Sequence, residues 1–457
     1  MIEMTPQALA DVMDLALPSK ASETFRGVTI DSRKDCSGQL FVAIRGDRFD
    51  GHDYVSSAYK NGAVVALVET LHDCEIPQLL VPDCKQAMAL LANHWRHVCN
   101  PLVIGLTGSN GKTTVKEMLH QILEKEAFTN ATRGNFNNDI GVPLTLFELS
   151  REDRYAIIEM GANHPGEIAK LATIAEPQIV YVNNVAAAHL TGFGSVQGVI
   201  ESKGELYAYC QNQQLALFNA DEVASRYWRS ICAADQQFSC GLNADADFSA
   251  NWDIQDETLL VEFIFRGEQA RVVLNLLGEH NVRNALAAVS IATIAGLEFK
   301  TAVENLSGFA GVSGRLQLMQ GPQNSRLIND SYNANPDSLE AGIKVLCSLK
   351  GSAWLALGDM GELGSETRQL HLKAAQTARA NGVEKLFGIG EMSCLASEEF
   401  GDCGYCFEQI SDMSESILQQ IHEDVNLLVK GSRSAGMDKL VEALQPGAQS
   451  RGINHVV

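Results

Sequence analysis

The stretch "TGSNGKTT", Thr107 to Thr114, decides the fold. The apolar run "PLVIGL" (101–106) precedes it and the helical run "VKEMLHQILEK" (115–125) follows. A buried strand, a glycine-rich turn and a helix start converge backbone N–H groups and the positive end of a helix dipole on one point, which favours phosphate. The long phosphate-loop pattern G-x-x-x-x-G-K-[ST] wants a glycine where this chain has Leu106. The alternative is an ordinary strand–turn–helix junction with glycines for the turn. Gly-Lys-Thr-Thr in this setting favours phosphate binding. Gly108 and Gly111 permit close approach of the chain, and Ser109, Asn110 and Thr114 complete the loop. Lys112 can reach β- and γ-phosphates, and the Thr113 hydroxyl can ligate Mg²⁺.

Outward from this loop the chain keeps an α/β rhythm. "PLVIGL", "YAIIEM" (155–160), "PQIVYVNNV" (177–185) and "QLALFN" (214–219) are continuous apolar strands, as a sheet covered on both faces requires. Helical stretches fall between them, so the sheet is expected to be parallel and doubly wound. "FSANWDIQ", "LLVEFIF" and "RVVLNLL", within 247–277, read as an antiparallel patch, followed by a helix from about Val282 to Gly296. A second α/β section starts near Gly314-Arg315, with strands "SRLIND", "AWLALGD", "EKLFGIG" and "NLLVKGS" alternating with helices. The first 83 residues read as short strands and helices leading to the helical "CKQAMALLANHWRHVC" (84–99). The reading is three α/β domains, 1–83, 84–314 and 315–457.

Length and composition agree: 457 residues exceed one ordinary domain, and 46% apolar with 20% charged residues suits globular cores. The net charge of −21 argues against nonspecific binding to nucleic acid or anionic membrane. An anionic ligand stays open, because local cations, N–H groups or a metal can hold one. No apolar run is long enough to span a membrane, and "MIEMTPQALADVMD" carries acids where a signal peptide has bases, so the chain is expected in the cytoplasm. The eleven cysteines are scattered and expected to be reduced thiols. Cys403-Gly-Tyr-Cys406 has C-x-x-C spacing; a zinc ribbon needs a second pair, which the chain lacks, a redox pair is the alternative, and two unrelated neighbours is the favoured reading. His94 and His97 are read as a solvated helix face with no third ligand.

Further candidates stand where strands end, which is where open α/β sheets bind ligands. Glu159 ends "YAIIEM", and His189 follows "VNNV". A carboxylate and an imidazole near a threonine hydroxyl and phosphate oxygens can hold divalent cations. Alone, Glu159 equally suits capping of the next helix, and His189 a hydrogen-bonded loop. Lys203, between Glu201 and Glu205, reads by itself as a solvated charge cluster. "RGNFNNDIGVPLTL" (133–146) is amide-rich, with Asn135, Asn137 and Asn138, and fits either a turn or polar recognition in a cleft. "LINDSYNANPDS" (327–338) repeats the theme with Asp330, Tyr332, Asn333 and Asn335, and Pro336 starts a helix. Lys430, Ser432 and Arg433 lie between a strand and a helix, a natural carboxylate or phosphate site.

In this order the motifs "TGSNGKTT", "GNFNNDIGVPLTL", "IIEMGANHPGEI", "VNNVAAAHL", "KGE", "GEHNVRNALAA", "GRL", "NDSYNANPDS", "LGDMGELG" and "VKGSR" closely resemble the Mur ligases. These are the ATP-dependent amide-forming enzymes of cytoplasmic peptidoglycan precursor synthesis. Their loop has the short form T-G-x-x-G-K-[ST], so Leu106 is no departure. "DSRKDCSGQLFVAIRGDRFDGHDYVSSAYKNGA" (31–63) resembles the nucleotide-sugar domain of the later family members, so the likeness covers nearly the whole chain. The resemblance implies a small N-terminal α/β UDP-sugar domain, a central P-loop ATPase-like domain and a C-terminal Rossmann-like ligase domain. "NDSYNANPDS" and "VKGSR", with no Asp-Asn-Pro-Arg signature, imply D-alanyl-D-alanine as the amine and a UDP-N-acetylmuramoyl-tripeptide as the acid. Asn329 stands where such members often carry a second aspartate, and Asp330 is kept.

The resemblance further implies ATP and Mg²⁺, with Thr113, Glu159, His189 and a carbamylated Lys203 as metal ligands. Lys112, Lys203, His189 and Asn138 would be catalytic, and Asn281, Asn284, Arg315 and Asp330 would contact ATP. Ser32, Arg33, Gly46, Asp50 and His52 would surround the UDP-sugar. Tyr332, Asn333, Asn335, Lys430, Ser432 and Arg433 would lie toward the amino substrate. A monomer with no nucleic-acid partner and no membrane insertion is expected. A folate polyglutamate ligase would share the loop but lack the stretch beginning at Asp31. A slow ATP-hydrolysing switch would show turnover insensitive to the dipeptide.

Overall fold

The structure, a computed structural model, describes residues 1–16, 23–46, 49–187, 190–211, 213–255 and 258–445. Among these residues the continuous apolar runs form a large central sheet. Its strands, in spatial order, are Glu268–Leu274, Thr258–Phe265, Phe248–Gln255, Gln236–Cys240, Leu215–Asn219, Ile179–Val182, Leu102–Thr107, Tyr155–Glu159 and Thr129–Ala131. From Thr129–Ala131 to Phe248–Gln255 the neighbours are parallel, and the last two pairings are antiparallel. The expected antiparallel patch is therefore an extension of the parallel sheet. The phosphate-loop strand Leu102–Thr107 sits between Tyr155–Glu159 and Ile179–Val182. Those are the two strands whose ends carry Glu159 and the "VNNV" loop.

The helix Lys112–Glu124 buries Val115, Met118, Leu119, Ile122 and Leu123, a helical stripe, against the sheet and against helix Glu279–Ile294. That second helix starts a turn earlier than its expected Val282. Gly278, at φ 89°, turns the chain, and Glu279 supplies a negative charge to the first turn.

The C-terminal sheet runs Gln317–Gln320, Arg326–Asp330, Val425–Lys430, Ser352–Gly358, Lys385–Ile389 and Gly404–Phe407. Only the first pairing is antiparallel. Val425–Lys430, last in sequence, inserts beside Arg326–Asp330, so the ends of "LIND" and "LLVK" adjoin. The last helix, Asp438–Ala443, starts after Gly436, which takes a left-handed φ of 64°.

The small N-terminal sheet is parallel: Val28–Thr29, Leu40–Val42, Val65–Val68 and Gln78–Leu80. Helix Cys84–Cys99 joins it to the centre, capped by Asp83 and burying Trp95, whose Nε1 donates to Leu149 O (3.0 Å). Its His94 and His97 are exposed, and His97 pairs with Glu176 at 3.0 Å.

The expectation of reduced thiols is corrected at one pair. Cys406 forms a disulfide with Cys394, with Cα atoms 4.8 Å apart, while Cys403 is free and exposed. Strand Gly404–Phe407 lies against helix Glu391–Phe400, which brings together cysteines twelve positions apart and leaves the C-x-x-C spacing without meaning.

Candidate active site

Gly108 (φ 147°) and Gly111 (φ 76°) turn the phosphate loop through backbone conformations that other residues avoid. A side chain at position 111 would stand 2.5 Å from both Asn183 Nδ2 and Asn284 Oδ1, so glycine is required there. The helix Lys112–Glu124 has no side-chain cap at Gly111, which leaves its first N–H groups facing outward. From outside, the "VNNV" loop holds the turn. Ser109 N–H donates to Asn184 O (3.0 Å) and Asn110 N–H to Asn184 Oδ1 (2.8 Å). The amides of Asn183 and Asn184 both donate to Asn110 O, at 2.8 and 3.0 Å. Lys112 folds back, its Nζ donating to Gly108 O (2.6 Å) and Ser109 O (3.2 Å), and burial lowers its pKa.

Beside the loop, Glu159 is 2% exposed and does not cap the next helix. Its Oε2 accepts from Thr113 Oγ1 (3.1 Å), its Oε1 from Asn137 Nδ2 (2.9 Å), and its N–H donates to Thr132 Oγ1 (2.9 Å). Thr113 and Glu159 thus present hard oxygen donors side by side, the donor type Mg²⁺ prefers. Lys203 is not a solvated charge. It is 2% exposed, with Nζ 3.4 Å from Ala162 O and 5.4 Å from the Phe193 ring centre. Burial, with Lys112 as a smaller cause, lowers its pKa from 10.5 to about 7. An amine that is half neutral near pH 7 is a nucleophile.

The third wall comes from the C-terminal domain. Lys430 and Asp330, at the ends of adjacent strands, pair at 2.5 Å, and Lys430 also donates to Asn333 O (3.0 Å). Arg315 stacks over the Tyr332 ring at 4.0 Å. Asn335 caps helix Pro336–Ser348 and meets Asn110 of the phosphate loop. These groups and the phosphate loop line one cavity of about 1090 Å³, enough for a nucleotide and part of a second substrate.

The cavity gathers Ser109 to Lys112, Thr114, Asn138, Glu159, Asn281, Asn284, Arg315, Asp330, Tyr332, Asn333, Asn335 and Lys430. Thr113 and Lys203 border it through Glu159 and Ala162. The Asn138 Oδ1 is taken by Gly141 N–H (2.8 Å) and Ile140 N–H (3.3 Å), so that oxygen starts the next helix. Asn281 Nδ2 donates to Leu277 O (2.8 Å). His189 lies outside the described residues. Ser432 is buried, with Oγ 2.5 Å from Asp359 O, and Arg433 is exposed and pairs with Asp438 at 2.9 Å. Neither lines the cavity.

Of the N-terminal candidates, Asp50 and His52 form a separate cluster with Arg45. Asp50 Oδ1 meets His52 Nδ1 at 2.6 Å, Arg45 Nε lies 2.9 Å from Asp50 Oδ2, and His52 Nε2 accepts Glu69 N–H (2.8 Å). The His52 backbone N–H, with the imidazole and Arg45, holds the Asp50 carboxyl well below its usual range. Gly46 N–H donates to Phe49 O (2.9 Å), Ser32 is buried, and Arg33 is exposed and paired with Asp31 at 2.8 Å.

Residues the sequence reading did not single out also line the cavity. His280 does so, with burial lowering its pKa to about 4. Asp221 accepts N–H groups from Leu242, Asn243 and Ala244, at 2.9, 3.0 and 2.9 Å, and pairs with Arg283. Asn183 and Asn184 follow strand Ile179–Val182, and that strand-end position is their only signal in the sequence.

Comparison with known proteins accounts for this assembly. Profiles of three domains match in chain order: Mur ligase family, catalytic domain, at 24–96; Mur ligase middle domain at 106–292; and Mur ligase, glutamate ligase domain, at 314–433. The chain belongs to the Mur ligase family, and it is an ATP-dependent ligase that forms amide bonds. It is 39% identical to a UDP-N-acetylmuramoyl-tripeptide–D-alanyl-D-alanine ligase of Escherichia coli (strain K12), over 97% of this chain and 99% of that protein. A protein of the same name from Bacillus subtilis (strain 168) is 30% identical over 97% and 99%. A crystal structure of MurF from Acinetobacter baumannii superposes with a TM-score of 0.89 at 33% identity, covering 96% of this chain and 98% of that one.

Proposed function

We propose that the chain joins D-alanyl-D-alanine to a UDP-N-acetylmuramoyl-tripeptide, in peptidoglycan precursor synthesis in the cytoplasm, with ATP converted to ADP and phosphate. The observation that carries this reading is the single cavity with a phosphate loop on one wall and the C-terminal groups Arg315, Asp330 and Lys430 on the other. The names of the relatives supply the substrates.

The terminal carboxylate of the tripeptide attacks the γ-phosphorus, and the bond from that phosphorus to ADP breaks. This gives an acyl phosphate. The dipeptide amine then attacks the carbonyl carbon, the resulting tetrahedral intermediate expels phosphate, and the nitrogen loses a proton. A carboxylate meeting a triphosphate brings anions together, so cations must offset the charge. Lys112 and the open helix N-terminus bind the β- and γ-phosphates in this role. Mg²⁺, when bound, neutralises phosphate charge. Thr113, Glu159, His189 and a carbamylated Lys203 are the residues that would hold it. The buried neutral amine of Lys203 suits the reaction with CO₂, in which a C–N bond forms, one C=O π pair moves onto oxygen and the nitrogen loses a proton, leaving a carboxylate-like carbamate. The Asn138 amide nitrogen and Asn284 face the phosphates, and Asn281, Arg315 and Asp330 bind the rest of ATP.

Ser32, Arg33, Gly46, Asp50 and His52 are assigned to the UDP-sugar. Tyr332, Asn333, Asn335, Lys430, Ser432 and Arg433 are assigned to the dipeptide side. The working units are 1–83, 84–314 and 315–457, acting as a monomer that closes around its substrates and excludes water from the acyl phosphate. Among the described residues no helix is long and apolar enough to cross a membrane. The test is phosphate release with each substrate omitted in turn. Release that requires both the UDP-tripeptide and D-alanyl-D-alanine is expected, and release equally fast without the dipeptide refutes the assignment.

A further inference from the structure

The first turn of helix Pro336–Ser348 touches both loops at the phosphate end of the cavity. Asn335 caps this helix: its Oδ1 accepts Ser338 N–H (2.9 Å), and its own N–H donates to Ser338 Oγ (3.0 Å). The other edge of the same amide leaves the domain. Nδ2 of Asn335 donates to Asn110 Oδ1 (2.8 Å), and Asn110 Nδ2 lies 3.5 Å from Asn335 Oδ1. Two residues on, the Asp337 carboxylate accepts the backbone N–H of Ala187, in the loop that follows strand Ile179–Val182. The Asn110 backbone is fixed separately, by Asn183 and Asn184. Its side chain is therefore not needed to shape the phosphate loop.

We propose that Asn335 is a positioning residue whose amide docks the C-terminal domain on the phosphate loop through Asn110, with Asp337 as a second point of attachment. The inference rests on the ligase reading above, in which Arg315 and Asp330 of the C-terminal domain must meet a nucleotide whose phosphates the loop holds. A neutral amide pair suits this place. The carboxamide pair fixes the approach without adding charge beside the polyphosphate.

Asn335→Ser tests the latch, because serine keeps the helix cap but is too short to reach Asn110. Asn110→Ala removes the other half and leaves the backbone bonds in place. Each single variant is expected to lose about fivefold in ADP affinity and in kcat, the worth of a neutral hydrogen bond. KM for the UDP-tripeptide and the melting temperature stay near wild type. The double variant loses no more than the weaker single one, because the interaction is already gone. Losses that multiply in the double variant overturn the latch. So do wild-type ADP affinity and kcat in Asn335→Ser, or a loss there that tracks a fall in melting temperature. ADP binding by calorimetry needs no amide chemistry, so a wild-type protein without dipeptide-dependent turnover refutes the functional reading and leaves this coupling measurable.

Discussion

Lys116 and Lys203 are both buried lysines of the central domain, and they are buried for different reasons. Lys116, on the back of the phosphate-loop helix, is 1% exposed and donates to Thr132 O at 2.5 Å and to Glu117 at 2.7 Å. Lys203, on the cavity side, is 2% exposed and among the described residues has one long bond, 3.4 Å, to Ala162 O. The first is a satisfied structural cation. The second has only weak compensation among the described residues, and burial lowers its pKa to about 7. Incomplete satisfaction of a buried charge marks chemistry here better than burial does. The N-terminal cluster falls on the satisfied side, since Asp50 and His52 meet each other, Arg45 and the backbone of Glu69.

The largest expected effect lies at the loop. Lys112→Ala should lower kcat for phosphate release by about 10²–10³-fold, the range for loss of one buried stabiliser of transition-state charge. Its melting temperature should hold, because among the described residues Lys112 donates only to the carbonyls of Gly108 and Ser109. Asn137→Ala frees Glu159 Oε1 and should raise the Mg²⁺ concentration needed for half-maximal activity about 10- to 100-fold, the range for a group that orients a metal ligand.

The two lysines then separate by stability. Lys116→Met leaves Thr132 O unpaired and should destabilise by about 1–3 kcal/mol in urea titrations. Lys203→Met removes a poorly compensated charge and should stabilise at pH 7 by on the order of a few kcal/mol without bicarbonate. For Lys203 the folded pKa, about 7, lies below the ordinary 10.5. Between these values the unfolded chain binds a proton that the native chain does not, so wild-type stability rises with pH across that window. The gain in Lys203→Met should shrink toward pH 10.5, and equal pH profiles for the two proteins would break the contrast. Catalysis should fall below pH 7, as Lys203 becomes an ammonium. The smallest effect is Asp50→Ala, which loses the cap on residues 51–54 and should cost about 1 kcal/mol.

The sheet strands near the loop were legible because each is a short apolar run ended by a polar or glycine residue. Leu102–Thr107, Tyr155–Glu159 and Ile179–Val182 follow that rule. Gln236–Cys240 and Thr129–Ala131 do not: they are short and polar, and they form strands only by pairing with a neighbour already in place. The loop, Glu159 and the strand-end asparagines were visible as local patterns. The burial of Lys203 was not, because "ESKGELY" alone looks solvated and only the packing of its helix on the sheet removes water. Nor could spacing show that Asn110 and Asn335 meet, or that Cys406 bonds to Cys394 in place of its closer neighbour Cys403.

The central claim is that the phosphate passes to a carboxylate. A UDP-tripeptide labelled with ¹⁸O in its terminal carboxylate tests this directly, by mass spectrometry of the phosphate released during turnover with D-alanyl-D-alanine. Transfer through an acyl phosphate predicts one labelled oxygen in each phosphate, with the other retained in the new amide. Unlabelled phosphate, with the displaced heavy oxygen found in water or on the nucleotide, would contradict it.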